Sequence, residues 1–155
     1  GVHKSDFIRY LLNDEIVEVA GFIGTVHKEG TDVDDNATCI VRMKSGAVGT
    51  LMASWTHYRS GDNGTVLWCE KGAMKIGTVN GDEVVVELTD GTVETYKVGA
   101  MATNEKQVPS GVIDAFVESI LTNTPPSISG EEGLRSLNVI LGAFESQETG
   151  KIVKL

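Results

Sequence analysis

His3 and Asp6 are the first residues of this 155-residue chain whose types and spacing could support chemistry. In a helix, residues three positions apart lie on one side, about one turn from each other. The positive end of the helix dipole disfavours a charged imidazole in the first turn, and a neutral imidazole can take up or return a proton. The pair therefore suits acid–base catalysis, whereas two ligands are too few for a metal. The alternative is a structural pair, with an Asp that caps the helix start and a His packed at its edge.

A second candidate site is the segment ASWTHYRSGDNGT, where a strand ends in a loop bracketed by glycines. Its aromatic and polar members are Trp55, His57, Tyr58, Arg59, Asp62 and Asn63. Aromatic faces and hydrogen-bonding groups of this kind suit a polyhydroxylated ligand, and Tyr58 is the residue we expect to contact it. The alternative is a strand end with an ordinary polar turn.

The segment DVDDN, residues 32–36, superficially suggests a calcium loop. It lacks the Gly and the bidentate Glu at the spacing that an EF-hand requires. We therefore expect solvated loop carboxylates there, and no metal site in the chain.

Apolar periodicity predicts the elements that would position these residues. Phe7, Ile8, Leu11 and Leu12 recur at helical spacing and predict a helix over 2–12. Alternating, β-branched segments predict a strand over 15–26 and then three hairpins. The hairpins turn at Ser45-Gly46, Lys71-Gly72 and Asp90-Gly91.

Two helices and a last short strand are predicted after the hairpins. The first helix covers 110–123 with Ser110 as its N-cap. The second follows Ser129, whose spacing from Glu132 is that of a capping box, and ends at Gly150. The stripes expected to face the core are Val112, Ala115, Phe116, Ser119 and Ile120 in the first helix, and Leu134, Leu137, Leu141 and Phe144 in the second.

This order of elements predicts one α+β domain over 1–155, with a mainly antiparallel, open-faced β-sheet and helices packed on one face. One strand should turn Ala37, Cys39, Val41 and Met43 to the core. The open face must be solvated or cover a partner, and two strand faces are apolar enough to favour a partner. They carry Val48, Thr50 and Met52, or Val84, Val86 and Leu88.

Composition excludes several classes of protein. Thirteen Lys and Arg against 22 Asp and Glu give a net charge of −9, and such a chain repels phosphate backbones, so no nucleic-acid partner is expected. No apolar run approaches the ~20 residues of a membrane span, and the N-terminal residues of this sequence do not show the pattern expected of a signal peptide. Cys39 and Cys69 lie in apolar runs and are expected to be small core residues in a reducing compartment. We expect a soluble, cytoplasmic protein.

Several of these segments together resemble the C-terminal domain of the Gfo/Idh/MocA family, the NAD(P)-dependent oxidoreductases typified by glucose–fructose oxidoreductase and inositol dehydrogenase. GVHKSDFIRYLL resembles the segment that follows the family's Rossmann domain. The rest of the family's C-terminal domain is matched, in order, by VDDNATCIVRMKSGAVGTLMASW, EKGAMKIG and SGEEGLRSLNVILGAFESQETGKIVKL. The resemblance covers the whole chain.

The resemblance implies the substrate-binding and oligomerisation half of a dehydrogenase that acts on a sugar, a polyol or a related hydroxy compound. The family's Rossmann domain, with its Gly-rich turn and catalytic Lys, is absent from this sequence. NAD or NADP would then be bound mainly by the missing domain, and the chain alone would be inactive. The family's open sheet face typically forms the interface of a homo-oligomer.

Gly1, His3 and Asp6 match the last three fixed positions of the family motif Asp-x-Gly-x-His-x-x-Asp. The chain would therefore begin inside an active-site motif. By this correspondence His3 assists removal of the hydroxyl proton as hydride moves to the nicotinamide, and Asp6 binds a substrate hydroxyl or fixes His3. Two alternatives stay open: a non-catalytic oligomerisation or ligand-binding module, and a free-standing carbohydrate-binding β domain.

Overall fold

The computed structural model describes residues 1–28, 30–56, 64–77, 83–98 and 111–155. In chain order the elements are α1 (Val2–Leu12), β1 (Ile16–Gly24), β2 (Asn36–Met43), β3 (Val48–Ser54), β4 (Thr65–Cys69), β5 (Gly72–Ile76), β6 (Glu83–Leu88), β7 (Val93–Lys97), α2 (Val112–Thr122), α3 (Gly130–Thr149) and β8 (Val153–Lys154). The described strands form two antiparallel sheets, with orders β3-β2-β1-β8 and β4-β5-β6-β7. The α+β, antiparallel prediction is confirmed, and the hairpins divide between two sheets.

The described chain forms two compact units. The first contains residues 1–56 and 118–155, and the second contains the described residues of 64–117. The sheet β3-β2-β1-β8, α1 and α3 belong to the first unit, which therefore holds His3 and Asp6. No described helix combines the length and the apolar character that a bilayer crossing needs.

The predicted turns are confirmed because each depends on a few neighbouring residues. At Ser45-Gly46 and Asp90-Gly91 the glycines have φ values of 96° and 90°, a region that a side chain disfavours. Gly72 begins β5 with φ 151°, and a Cβ there would lie 2.0 Å from the carbonyl oxygen of Glu87. Only glycine therefore lets β5 approach β6 at this point.

Helix boundaries also agree with the local signals. The helix predicted over 2–12 is α1, and the one predicted over 110–123 is α2, although Ser110 lies outside the described residues. Ser129 caps α3 by accepting a hydrogen bond from the Glu132 amide, and Gly150 ends it with φ 67°. The expected last strand is β8, which pairs with β1.

The core of the first unit lies between α3 and the sheet. Its buried apolar residues are Ile16, Val19, Cys39, Val41, Met43, Val139 and Ala143. The predicted inward face of β2 is thus confirmed. A Cβ added at Gly142 would lie 2.6 Å from Leu155 Cδ2 and 3.0 Å from Val19 Cγ1, so a larger residue in α3 would require these side chains to shift.

The predicted packing face of α3 is wrong. Its leucine and phenylalanine stripe (Leu134, Leu137, Leu141, Phe144) is 40% to 54% exposed. The buried stripe instead consists of Ser136, Val139, Gly142, Ala143 and Ser146. Small residues allow a close approach, and the serine hydroxyls find partners: Ser146 Oγ accepts a hydrogen bond from the Gly21 amide at 3.2 Å. Hydropathy alone would place the leucine and phenylalanine stripe against the core.

The stripe predicted for α2 is wrong for most of its members. Ser119 is buried, whereas Val112, Ala115, Phe116 and Ile120 are exposed. Apolar periodicity indicates which side of a helix would gain from burial, but it does not determine which element packs against that side.

The prediction for the two cysteines is confirmed for Cys39 and wrong for Cys69. Cys39 is buried, and burial raises the pKa of its thiol. Cys69 is exposed because it ends β4, which is an edge strand of its sheet. The apolar run around it therefore faces solvent in part, as the 84% exposure of Trp68 also shows.

The first sheet has an outer face on the side away from α3. We define it by the exposed residues Phe22, Thr38, Ile40, Arg42, Val48, Thr50 and Met52. Strand register pairs Thr38 of β2 with Phe22 of β1 on one side and with Met52 of β3 on the other, and it pairs Ile40 with Thr50. The predicted apolar set of β3 is therefore exposed, whereas Val84, Val86 and Leu88 of β6 are half-buried.

Candidate functional site

His3 lies in the first turn of α1, and its side chain is exposed. The turn is closed by the amides of Lys4 and Ser5, which donate to the Gly1 carbonyl at 3.0 and 3.2 Å. Within the part of the chain that the structure describes, the His3 ring makes no hydrogen bond or ion pair. The imidazole is therefore available to a ligand that approaches from outside this chain.

Asp6 lies one turn after His3 and is held by α3. Its Oδ1 accepts a hydrogen bond from Ser136 Oγ at 2.9 Å, and Arg9 Nη1 is 3.7 Å from the same oxygen. The side chain is 66% exposed, and Oδ2 accepts no hydrogen bond from any residue that the structure describes. One oxygen of Asp6 is thus engaged, and the other can accept a hydrogen bond from a ligand.

Arg9 forms a buried polar cluster that sequence analysis missed. We call it the Arg9 cluster; it comprises Arg9, Glu15, Glu132, Ser136 and Asp6. Arg9 donates to both carboxylate oxygens of Glu15, at 2.7 and 3.0 Å, and to Glu132 Oε2 at 2.9 Å. Its Nη1 donates to Ser136 Oγ at 2.8 Å, and its side chain is only 6% exposed. The cluster joins α1, the start of β1 and α3.

Contacts within the Arg9 cluster favour the charged forms of Arg9 and Glu15. Hydrogen bonds from Arg9 are the main cause of a lowered pKa at Glu15, and the same bonds raise the pKa of Arg9 above its usual value. Arg135 adds a second, exposed guanidinium, 3.3 Å from Glu15 and 2.7 Å from Glu132. The Glu15 carboxylate therefore stays ionised at neutral pH.

Ser5 and Arg9 show which signal could have revealed this face of α1. They are four residues apart and are the buried residues of the helix. The Ser5 hydroxyl lies 2.8 Å from the Val2 carbonyl oxygen and 3.1 Å from that of Ser136. A Ser and an Arg at i and i+4 on α1, matched by Glu132 and Ser136 at i and i+4 on α3, form a complementary polar pattern.

Asp35 corrects the expectation of solvated carboxylates at 32–36. Asp32 and Asp34 are exposed, but Asp35 is 3% exposed. Its carboxylate accepts the amides of Val26, His27 and Lys28 at 2.8, 2.9 and 2.8 Å. These amide bonds hold the pKa of Asp35 far below its usual range. Consecutive amides converge on the carboxylate and replace its water, which the sequence pattern does not reveal.

We expect Asp35→Asn to lower the melting temperature at pH 7, because an amide presents NH2 donors to backbone donors. A folded-state pKa below the unfolded value means that the stabilisation is present above about pH 4 and is lost as the pH falls further. The difference in melting temperature should therefore narrow in acid. Thermal melts followed by circular dichroism measure this difference in melting temperature, with Asp32→Asn, at an exposed position, as the control. Equal melting of both variants at pH 7 would contradict this role.

Trp55 lies just beyond β3, beside the Asp35 loop. Its amide donates to the Asp35 carbonyl at 2.8 Å, and Lys28 Nζ lies 5.2 Å from its ring centroid. The ring is 75% exposed and offers an aromatic face to a ligand. Tyr58, the expected substrate contact, lies outside the described residues, as do His57, Arg59, Asp62 and Asn63.

A cavity of about 340 Å³ lies between the first turn of α1, α3 and the inner face of the first sheet. Val2 and Lys4, which flank His3, line it together with Asp34 from the loop before β2. Lys4 and Asp34 are its charged members, and its other walls are apolar. The start of α1 and the loop that carries Asp35 therefore line the same cavity. Among the described residues, no group of three His, Cys, Asp or Glu side chains could hold a metal ion.

The chain is similar to a known family of C-terminal domains and to several curated proteins. Residues 1–75 match the model of the GFO/IDH/MocA C-terminal domain. The chain is 28% identical to myo-inositol 2-dehydrogenase of Thermotoga maritima, over 99% of this chain and 47% of that protein. It is 25% identical to D-xylose 1-dehydrogenase (NADP+) of Haloarcula marismortui, over 100% of this chain and 42% of that protein. The chain spans about half the length of the curated relatives it matches.

Solved structures share the fold. An oxidoreductase from Agrobacterium radiobacter in complex with NAD+, L-tartaric acid and magnesium matches with a TM-score of 0.79 and 16% identity, over 99% of this chain and 47% of that one. Aldose-aldose oxidoreductase from Caulobacter crescentus complexed with glycerol matches with a TM-score of 0.77 and 24% identity, over 100% of this chain and 46% of that one. These likenesses confirm the fold class.

Proposed function

We propose, from the premise that this chain belongs to the Gfo/Idh/MocA family as its C-terminal domain, that it supplies an acid–base residue and a substrate-contacting surface to an oxidoreductase. The substrate is a sugar, a polyol or a related hydroxy compound. The observation that carries the proposal is an exposed His3, free of hydrogen bonds to the described residues, on a helix that the Arg9 cluster holds against α3.

His3 handles the proton in this proposal. A neutral imidazole accepts the hydroxyl proton of the substrate during oxidation and returns it during reduction. Asp6 Oδ2 accepts a hydrogen bond from a neighbouring substrate hydroxyl, since Oδ1 is engaged by Ser136. Tyr58 remains a proposed substrate contact on sequence grounds alone.

We propose that this chain does not supply a dinucleotide cradle. Such a cradle needs a parallel strand followed by a Gly-rich turn at a helix N-terminus, and both described sheets are antiparallel. NAD or NADP is therefore bound mainly outside this chain in our proposal, and there it accepts or donates the hydride. The isolated chain is expected to be inactive. We expect the enzyme to act in the cytoplasm, where free thiols stay reduced.

Turnover by the longer protein that contains this chain tests the proposal. Absorbance of NADH and NADPH is followed against a panel of sugars, polyols and sugar acids. Turnover with one of these classes supports the proposal. Absence of turnover with every class, in a protein that binds the dinucleotide, would favour the alternative of a non-catalytic oligomerisation or ligand-binding module.

The outer face of the first sheet is the proposed surface of a homo-oligomer. Phe22 is 84% exposed, and Ile40, Val48 and Met52 are 56%, 60% and 66% exposed. A contiguous apolar patch on a sheet face favours a partner. Light scattering should give at least a dimer mass for the wild type, and Ile40→Glu should give a smaller mass. Val33→Glu, at a 66% exposed loop position, is the control. A monomer mass for the wild type at high concentration would contradict this surface.

A further inference from the structure

Ser136 connects the Arg9 cluster to the pair of residues proposed to meet the substrate. Arg9 Nη1 lies 2.8 Å from Ser136 Oγ, which lies 2.9 Å from Asp6 Oδ1. A guanidinium can only donate hydrogen bonds, and an ionised carboxylate can only accept them. The hydroxyl must therefore accept from Arg9 and donate its single proton to Asp6. This gives the two bonds one fixed direction.

The contacts of Arg9 keep it in place as the donor to Ser136. Its remaining donors bind both oxygens of Glu15 and Oε2 of Glu132, and its side chain is 6% exposed. Arg9 therefore offers Ser136 a nearly immobile donor. Charge-assisted hydrogen bonds of this kind are shorter and stronger than neutral ones. The Ser136 hydroxyl has little freedom to turn away from Asp6.

We propose that Ser136 is a positioning residue for the reaction: its hydroxyl fixes the orientation of the Asp6 carboxylate one turn after His3. The inference rests on the proposed function. By holding Oδ1, Ser136 leaves Oδ2 in one orientation toward the substrate hydroxyl that Asp6 binds. Asp6 in other rotamers would bind that hydroxyl with a poorer geometry relative to the His3 imidazole.

The fold should survive removal of this hydroxyl. The contact of Ser5 Oγ with Ser136 uses the backbone carbonyl, at 3.1 Å, and does not depend on the Ser136 side chain. Arg9 keeps Glu15 and Glu132, and its Nη1 is 3.4 Å from the Glu132 carbonyl. Ser136→Ala thus removes the hydrogen bonds that Ser136 Oγ makes with Asp6 and Arg9, and it keeps the contacts of Arg9 with Glu15 and Glu132.

Ser146 provides a matched control on the same helix. It is also a buried serine of α3, 4% exposed, but its hydroxyl binds the Gly21 amide of β1 and no residue of α1. Ser136→Ala and Ser146→Ala remove the same atom from the same face of α3. A purely structural role predicts similar kinetics for the two variants.

Steady-state kinetics of the longer protein test the inference, with thermal melts of every variant. We expect Ser136→Ala to lower kcat/KM by about 10- to 100-fold, the loss of one hydrogen bond to a charged group, and Ser146→Ala to change it less than about threefold. In the Asp6→Ala background, which has no side-chain acceptor at this position, Ser136→Ala should have no further effect on kcat/KM, because Ser136 acts through Asp6. If Ser136→Ala fails to fold, Ser136→Cys, a weaker donor of similar volume, replaces it.

Failure of this inference is distinguishable from failure of the proposed function. If His3→Ala abolishes turnover while Ser136→Ala behaves as Ser146→Ala does, the function stands and the positioning role is overturned. Equal losses of kcat/KM from Ser136→Ala with and without Asp6→Ala overturn the positioning role too, since Ser136 would then act independently of Asp6. If His3→Ala leaves turnover unchanged, the proposed function itself fails, and this inference fails with it.

Discussion

Replacing His3 by Ala in the longer protein that contains this chain should lower kcat of the proposed reaction by about 10²–10⁴-fold, the range typical of a lost acid–base residue. The melting temperature should change little, because the His3 side chain is exposed and makes no hydrogen bond within the described residues. A large kinetic effect without a loss of stability is the signature of a residue whose role lies in the reaction.

His27→Ala is the matched control for His3→Ala. His27 is also exposed, and its amide, which the substitution keeps, binds Asp35. Steady-state kcat values of both variants with the preferred substrate show whether the loss of activity is specific to His3. Turnover that is indifferent to His3→Ala would leave the similarity to the family in place but would assign the proton transfer to another residue.

Removing the Arg9 side chain should have the largest effect on stability. We expect Arg9→Ala to lower the free energy of unfolding by about 1.5–3 kcal/mol, because it removes a buried guanidinium that donates hydrogen bonds to Ser136 and to two half-exposed carboxylates. Glu15 and Glu132 would face each other with only Arg135, whose side chain is 55% exposed. Urea denaturation followed by circular dichroism measures the loss.

Arg135→Ala provides the control, because Arg135 contacts the same two carboxylates from the surface. Exposed ion pairs contribute about 0–1 kcal/mol, so this variant should lose far less stability. The effect of Arg9→Ala should also depend on pH. The folded-state pKa of Glu15 is lowered, so its stabilisation is present above about pH 4 and is lost as the pH falls. Equal losses in the two arginine variants would contradict the buried cluster.

Local signals predicted the boundaries of elements well. The helix over 2–12, the turns at Ser45-Gly46 and Asp90-Gly91, and the caps of α3 at Ser129 and Gly150 were all confirmed. Each depends on residues within a few positions of one another. A glycine at positive φ or a serine N-cap is favoured by the local backbone geometry, so the sequence reveals it directly.

Packing was predicted less well, because burial depends on distant residues. Hydropathy placed Leu137 and Phe144 in the core, whereas the close approach of α3 to β1 selected Gly142 and Ser146 instead. An apolar stripe and a stripe of small residues can both bury a helix face. The distance between the helix and the sheet decides which of them is used.

By itself the sequence determined the α+β class, the order of the elements, the family resemblance and the placement of His3 in the first turn of a helix. These follow from periodicity, turn residues and short motifs. Only the tertiary structure decided that Asp6 binds Ser136, that Arg9 is buried among carboxylates, and that the hairpins divide between two sheets. Arg9 and Ser136 lie 127 positions apart. A hydrogen bond over that separation forms only when α1 and α3 have packed together, so no local pattern contains it.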